Sequence, residues 1–332
     1  MWRSIPGLLL FMIACSGADD GTGLPLQVVA DIELPGDTSR FDYESYDAQR
    51  HVMYIAHLGA SEVLAFDTER RRVVARIGGV SHVHGVLAIP ELGLVYASAT
   101  GTDEVVAIDV SRMKIVARTP GGTYPDGMAY APEAHKLYIS DESGQTETVI
   151  DVLSNKRIAA IPLGGEVGNS QYDPISRHIF VNVQSRRQLV EIDPATDRII
   201  ERDSLPGAEG NHGLLIEPER RLAFIACEGN DKLLVFDMST RHVMRIFDVG
   251  KDPDVLAYDA GLGLLYVAGE SGVGSVFRID ASGATKIADG TVGPNAHVVA
   301  VDPATHLAYF PIKNLNGRPV LRIERPLAID NH

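Results

Sequence analysis

The chain is punctuated by short apolar runs, each bounded by Gly, Pro, Asp or Asn, in a rhythm too quick for helices. Between residues 85 and 118, the runs Gly85 to Ile89, Leu94 to Ser98, Glu104 to Val110 and Lys114 to Arg118 each read as a strand. No stretch of ten or more residues carries an apolar stripe at helical spacing, which disfavours strands alternating with helices around a parallel sheet. The four-strand phrase then repeats. An aromatic residue inside one apolar run recurs at Tyr54, Tyr96, Tyr138, Phe180, Phe224, Tyr266 and Tyr309, at intervals of 42 to 44 residues. An acid closing a later run keeps step with it at Asp67, Asp109, Asp151, Asp193, Asp237, Asp280 and Glu324. Seven units follow.

Seven four-stranded antiparallel sheets predict an all-β fold, a seven-bladed β-propeller, because radial repetition leaves only short, protected strand edges. The seventh unit supplies three strands, around His297 to Val301, Leu307 to Phe310 and Val320 to Ile323, and then runs out. Gln27 to Gly36 matches the fourth-strand phrases beginning at Arg72 and Lys114, so the N-terminal strand is expected to complete the last blade. The acid ending each third strand is followed by turn formers. It is expected to accept hydrogen bonds from the turn amides rather than to act in catalysis.

Phrases such as Gly127-Met128-Ala129-Tyr130-Ala131-Pro132-Glu133-Ala134-His135-Lys136-Leu137-Tyr138-Ile139-Ser140, with a third strand ending in Ile150-Asp151, resemble the YVTN-type repeat of bacterial seven-bladed propellers. The resemblance covers about residues 26 to 326. It implies export and the binding of a ligand or partner; the shared motif is strand and turn chemistry and carries no catalytic residue. Gly168-Asn169-Ser170 departs from the Pro125-Asp126-Gly127 type of phrase, and the seventh unit has a longer turn at Lys313 to Gly317.

The first residues stand apart from the repeat. Arg3 followed by the apolar run Leu8 to Ala14 reads as an export signal over residues 1–14, too short for a membrane span. Met12-Ile13-Ala14-Cys15 resembles a bacterial lipobox, which makes Cys15 the candidate lipidation site; cleavage after Ser16-Gly17-Ala18 is the alternative, leaving a soluble periplasmic or secreted protein. Residues 15–25 read as a flexible tether, 26–327 as one propeller domain and 328–332 as a C-terminal tail. The expected location is therefore the cell envelope, with a lipid anchor as the only contact with the membrane. The formal charge of −14 over 332 residues argues against nucleic acid as a partner. A monomer is expected. Only Cys227 remains besides Cys15, on a second strand, and reads as a buried packing residue.

Candidate chemistry lies in positions that the repeat does not need. One register position, just before each first strand, holds Asp42, His84, Asp126, Gly168, His212, Asp254 and His297. First strands line a propeller's channel, so these side chains should converge at one mouth beside Asn169, Asn211 and Asn295. Two readings stand: mutual hydrogen bonding around a wet channel, or ligands for a divalent metal ion or a small polar molecule. The three imidazoles of His84, His212 and His297 are the expected metal set, with the Asp side chains orienting them. Gly-x-Ser-x-Gly, His-Glu-x-x-His, phosphate-loop and Cys-x-x-Cys patterns are missing from the sequence, so four common catalytic routes lack their signatures. The leading functional expectation is an exported scaffold that binds an unknown small ligand or envelope protein through the mouth face. The alternative is a metal-dependent hydrolase or lactonase, in which Asn169, Asn211, Asp254 and Asn295 hold the ion and His84 or His297 is the base. Arg186 and Arg187 form one basic turn on the same face, read as solvated.

Overall fold

The computed structural model describes residues 23–281 and 283–327. Seven sheets of four antiparallel strands surround one axis, each built from four strands that follow one another along the chain, except the last. Blade two runs through Val83–Ile89, Leu94–Ala99, Glu104–Asp109 and Lys114–Pro120, within two residues of the expected boundaries. First strands of successive blades touch each other around the axis, so each unit buries what the next exposes. Residues 1–22 and 328–332, including Cys15 and the expected export signal, lie outside the described residues. Among those described, no helix is long and apolar enough to cross a membrane.

Second and third strands carry most of the core because both of their faces are covered by neighbouring blades. Val52–His57 is buried at every position, and Tyr54, Tyr138 and Phe224 are wholly inaccessible. Fourth strands alternate: in Arg72–Gly78 the pattern runs between exposed and part-buried, as expected of an outer edge with one wet face. Tyrosine hydroxyls in the core need partners, and Tyr96 and Tyr138 find them on the next blade at Asn155 Oδ1 (2.7 Å) and Asp197 Oδ1 (2.5 Å).

The last blade closes as the sequence implies. Leu26–Glu33 pairs antiparallel with Arg318–Pro326, running from Leu26 opposite Pro326 to Glu33 opposite Val320. A bulge between Val28 and Ala30 breaks the alternation, so Val29, Ala30 and Ile32 all lean on the core of blades seven and one. The first strand of blade seven is shorter than expected, Ala300–Asp302. Its preceding residues turn towards blade six instead, where the His297 carbonyl accepts from Val255 N–H at 3.3 Å.

The acids at the third-strand ends hold turns. Asp109 Oδ1 accepts from the amides of Ser111 (2.8 Å) and Arg112 (3.0 Å), and Asp237 Oδ1 from those of Ser239 (2.7 Å) and Thr240 (3.1 Å). Cys227 is fully buried, and that burial pushes its thiol up to about 12, so it acts as a small apolar side chain.

Candidate ligand site at the channel mouth

The first strands of blades two to six each bulge near their start. In blade three the register jumps between Pro125 and Met128, leaving Asp126 and Gly127 outside the ladder, and the same jump leaves out His84-Gly85, Gly168-Asn169, His212-Gly213 and Asp254-Val255. A bulge re-aims a side chain, and here the freed residues are those of the expected ring. They sit inside the first strands, at the second position, rather than just before them. Asp42, Asp126, His212, Asp254 and His297 are all buried, whereas His84 is only partly so.

Tyr43 organises the centre. Its hydroxyl accepts from Asn169 Nδ2 at 2.6 Å and lies 3.1 Å from His212 Nε2 and 3.5 Å from Asp254 Oδ1. One phenol thus reaches from blade one to blades four, five and six. It also forms part of the wall of a channel cavity of about 320 Å3, which Glu44, Gln171, Tyr258 and Val301 help to line. His212 Nε2 stands 3.7 Å from Asp126 Oδ2 and 3.8 Å from Asp254 Oδ1. Burial opposes charge on this imidazole, but Glu228, Asp254 and Asp126 together overcome it and raise its pKa to about 9. Burial raises Asp126, Asp254 and Glu228 above the usual carboxylate range, with the nearby imidazoles pulling the other way.

The expected residues divide. Asp126, Asn169, His212 and Asp254 meet around Tyr43, while His297 approaches Asp254 Oδ2 at 3.8 Å. His84 is held apart from them: its Nδ1 donates to the His82 carbonyl (2.9 Å) and its Nε2 lies 3.1 Å from the Tyr124 hydroxyl. Asn211 is turned away and donates to Asn182 Oδ1 (3.0 Å) and the Gln188 carbonyl (3.1 Å). Asn295 contributes its carbonyl, which accepts from His297 Nδ1 at 3.0 Å. The three imidazoles do not form a convergent set. Among the described residues, the donor groups within 4.8 Å of one another are Asp42, Asp254 and His297, and His212, Glu228 and Asp254. Arg186 and Arg187 are held by neighbours, donating to the Gly164 carbonyl (2.8 Å) and pairing with Glu209 (3.1 Å).

Sequence reasoning missed Tyr43, Arg40 and a second circle of acids. Arg40 pairs with Asp42 Oδ2 (3.3 Å) and Glu270 Oε1 (2.6 Å) at the rim. Glu142, Glu228 and Glu270 each follow a second strand at the same place in the repeat. With Asp42, Asp126 and Asp254, they place six carboxyls within electrostatic reach of one mouth, against one guanidinium and the imidazoles. Such a cup favours a cation or a hydrogen-bond donor.

No protein-family model matches the chain, and no curated protein matches it in sequence. Solved structures do match in shape. A chain of Kuenenia stuttgartiensis hydrazine synthase superposes with a TM-score of 0.75 at 14% identity, covering 95% of this chain and all of that one. A chain of the mitotic checkpoint complex gives 0.75 at 13% identity over 98% and 99% of the two chains, and the WD40 repeats of RRP9 give 0.75 at 11% over 90% and 99%. The likeness is one of fold. At these identities the seven-bladed propeller carries over and the activities do not.

Proposed function

We propose that the protein is an exported binding scaffold of the YVTN-repeat type that takes a positively charged group of a ligand or envelope partner into its channel mouth. The observation that carries this reading is the excess of carboxyls over cations around Tyr43, with Asp42, Asp126 and Asp254 buried and Glu142, Glu228 and Glu270 part-buried. Holding six carboxyls, three of them buried, beside Arg40 and the imidazoles is unfavourable unless protons or a bound cation offset them, and an incoming ammonium or guanidinium group supplies that offset. A rigid ring of blades suits such a role, because each side chain is held by its own strand and needs no closure to meet the ligand. One propeller of this shape belongs to a protein assembly, the mitotic checkpoint complex, which agrees with a role in binding proteins. The hydrolase reading needs an ion on the axis and stands or falls with it.

Export and anchoring through Cys15 belong to the same proposal. The test places a photo-crosslinking amino acid at Tyr124, on the mouth face, or at Ile175, an exposed turn residue at the opposite ends of the strands, in cells making the full chain. Cross-linked partners from Tyr124 and none from Ile175 are expected; the reverse pattern would overturn the assignment of the face. In the same cells Cys15→Ser should move the protein from the membrane pellet to the soluble fraction, since acyl chains bind bilayers far more firmly than the tether can. Unchanged partitioning would remove the anchor.

A further inference from the structure

Asp42, Asp254 and His297 come from three successive blades of the ring, one, six and seven, and all three are buried with donor atoms within 4.8 Å of one another. The His297 ring is inaccessible to solvent, and its Nδ1 lies 3.0 Å from the Asn295 carbonyl oxygen. A carbonyl can only accept, so Nδ1 carries the hydrogen, which leaves Nε2 as the nitrogen whose lone pair can bind a cation. That nitrogen has no hydrogen-bond partner and stands 3.8 Å from Asp254 Oδ2. The gap is too long for a hydrogen bond, yet two donors bound to one ion at about 2.0–2.2 Å stand roughly 3.3–4 Å apart. A lone pair aimed at carboxylates in a buried pocket is repulsive unless a proton or a metal ion stands between them, and 3.8 Å is long for a shared proton.

We propose that Asp42, Asp254 and His297 bind one divalent transition-metal ion, such as Zn2+ or Mn2+, that bolts blades six, seven and one together at the channel mouth. The carbonyl of Asn295 fixes the imidazole tautomer, as outer partners of metal-bound histidines commonly do. Asp254 divides its work: Oδ1 faces Tyr43 and His212, which leaves Oδ2 for the ion. Asp42 Oδ1 accepts from the Tyr43 amide (3.0 Å), and its Oδ2 has only the Arg40 guanidinium, itself drawn towards Glu270. Arg40 is therefore the native competitor for the ion. One imidazole with two carboxylates suits a transition-metal ion, which accepts ring nitrogen, better than calcium, which takes all-oxygen shells. The second convergent group, His212 with Glu228 and Asp254, is less suited because Tyr43 already engages His212 Nε2. The inference rests on the mouth being a binding site, and its test is separate from the cross-linking one.

Intact protein stripped with a chelator is titrated calorimetrically with ZnCl2, MnCl2 and CaCl2 at pH 7.5. One Zn2+ or Mn2+ per chain is expected, with Ca2+ at least tenfold weaker. His297→Ala should lower the affinity at least a hundredfold, Asp254→Asn at least tenfold, and Arg40→Gln should tighten binding. Zinc should also raise the thermal midpoint of the stripped protein, because it binds only the closed ring. X-ray absorption of the zinc-loaded wild type, which depends on no variant folding, should show a single imidazole in a nitrogen and oxygen shell. Three imidazoles, no binding above background by the stripped wild type, or undiminished binding by folded His297→Ala would each overturn the proposal. Loss of this site would leave the cross-linking pattern intact, and a failed cross-linking pattern would leave the titration intact.

Discussion

Tyr43 occupies the place in the repeat that glycine holds in blades two, three and five, at Gly85, Gly127 and Gly213. The two choices solve one spatial problem in opposite ways. At the glycines the neighbouring blade comes so near that a Cβ on Gly85 would collide with the Asp126 carbonyl oxygen, and one on Gly213 with that of Asp254. Blade one has room, and its side chain fills the centre instead. Gly213→Ala should therefore destabilise the fold by about 1–3 kcal/mol, the usual cost of overpacking, and lower the thermal midpoint, as read by calorimetry. A variant as stable as wild type would remove close approach as the reason for glycine there. The positions of Asp126, His212 and Asp254 were legible because the same register returns in every blade. Tyr43 was not, since its column holds Gly85, Gly127, Asn169, Gly213, Val255 and Val298 and so carries no shared residue type that marks a site. Glu142, Glu228 and Glu270 share a place after the second strand, a column as open to reading as the first, but one in which blades one, two and four carry Leu58, Thr100 and Gln184.

Hairpins are legible where apolar runs alternate with turn formers, which is why blade two matched so nearly. Bulges left no such mark, because an unpaired residue changes the ladder without changing the apolar pattern. The turns themselves give a pH dependence. Asp109 is drawn down to about 2 by hydrogen bonds from the Ser111 hydroxyl and the turn amides, and Asp67, Asp193 and Asp237 are lowered by turn contacts of the same kind. A carboxyl whose pKa is lower in the folded than in the unfolded chain adds stability above its unfolded value, near 3.8. That contribution is lost as the pH falls through the folded value. The thermal midpoint should fall between about pH 4 and pH 2. Asp109→Ala should lower it at pH 6 and flatten the acid limb; an unaltered pH profile in the variant would show that the Asp109 cap contributes nothing measurable. Glu147 acts with the opposite sign and in a higher window. Its burial raises its pKa, so acidification from neutrality favours the folded form through this group.

At the scale of the whole molecule, a ring of seven blades has one seam, and the N-terminal strand crosses it. Leu26–Glu33 supplies the outer strand of blade seven from the far end of the chain, and the pairing is reinforced by Asp31 with Arg322 (2.8 Å) and Glu33 with Arg318 (2.9 Å). Both ion pairs are at least partly exposed and add little, so the strength lies in the ladder and in the apolar side chains leaning on the core. This closure was readable because the missing strand and the spare strand share one phrase. Deleting Gln27 to Gly36 would leave Arg318–Pro326 as a bare edge, remove the partly buried Val29 and Ile32 together with the buried Leu34, and uncover core partners such as Leu321 and Ile323. At about 1 kcal/mol per net hydrogen bond and 1.5–3 kcal/mol per large apolar side chain, scaled down for those only half covered, the loss should reach several kcal/mol. The truncated protein should melt well below wild type and self-associate through the open edge, both measurable by calorimetry and light scattering. A truncated chain that stayed monomeric with the wild-type melting temperature would mean that the ring closes without this strand.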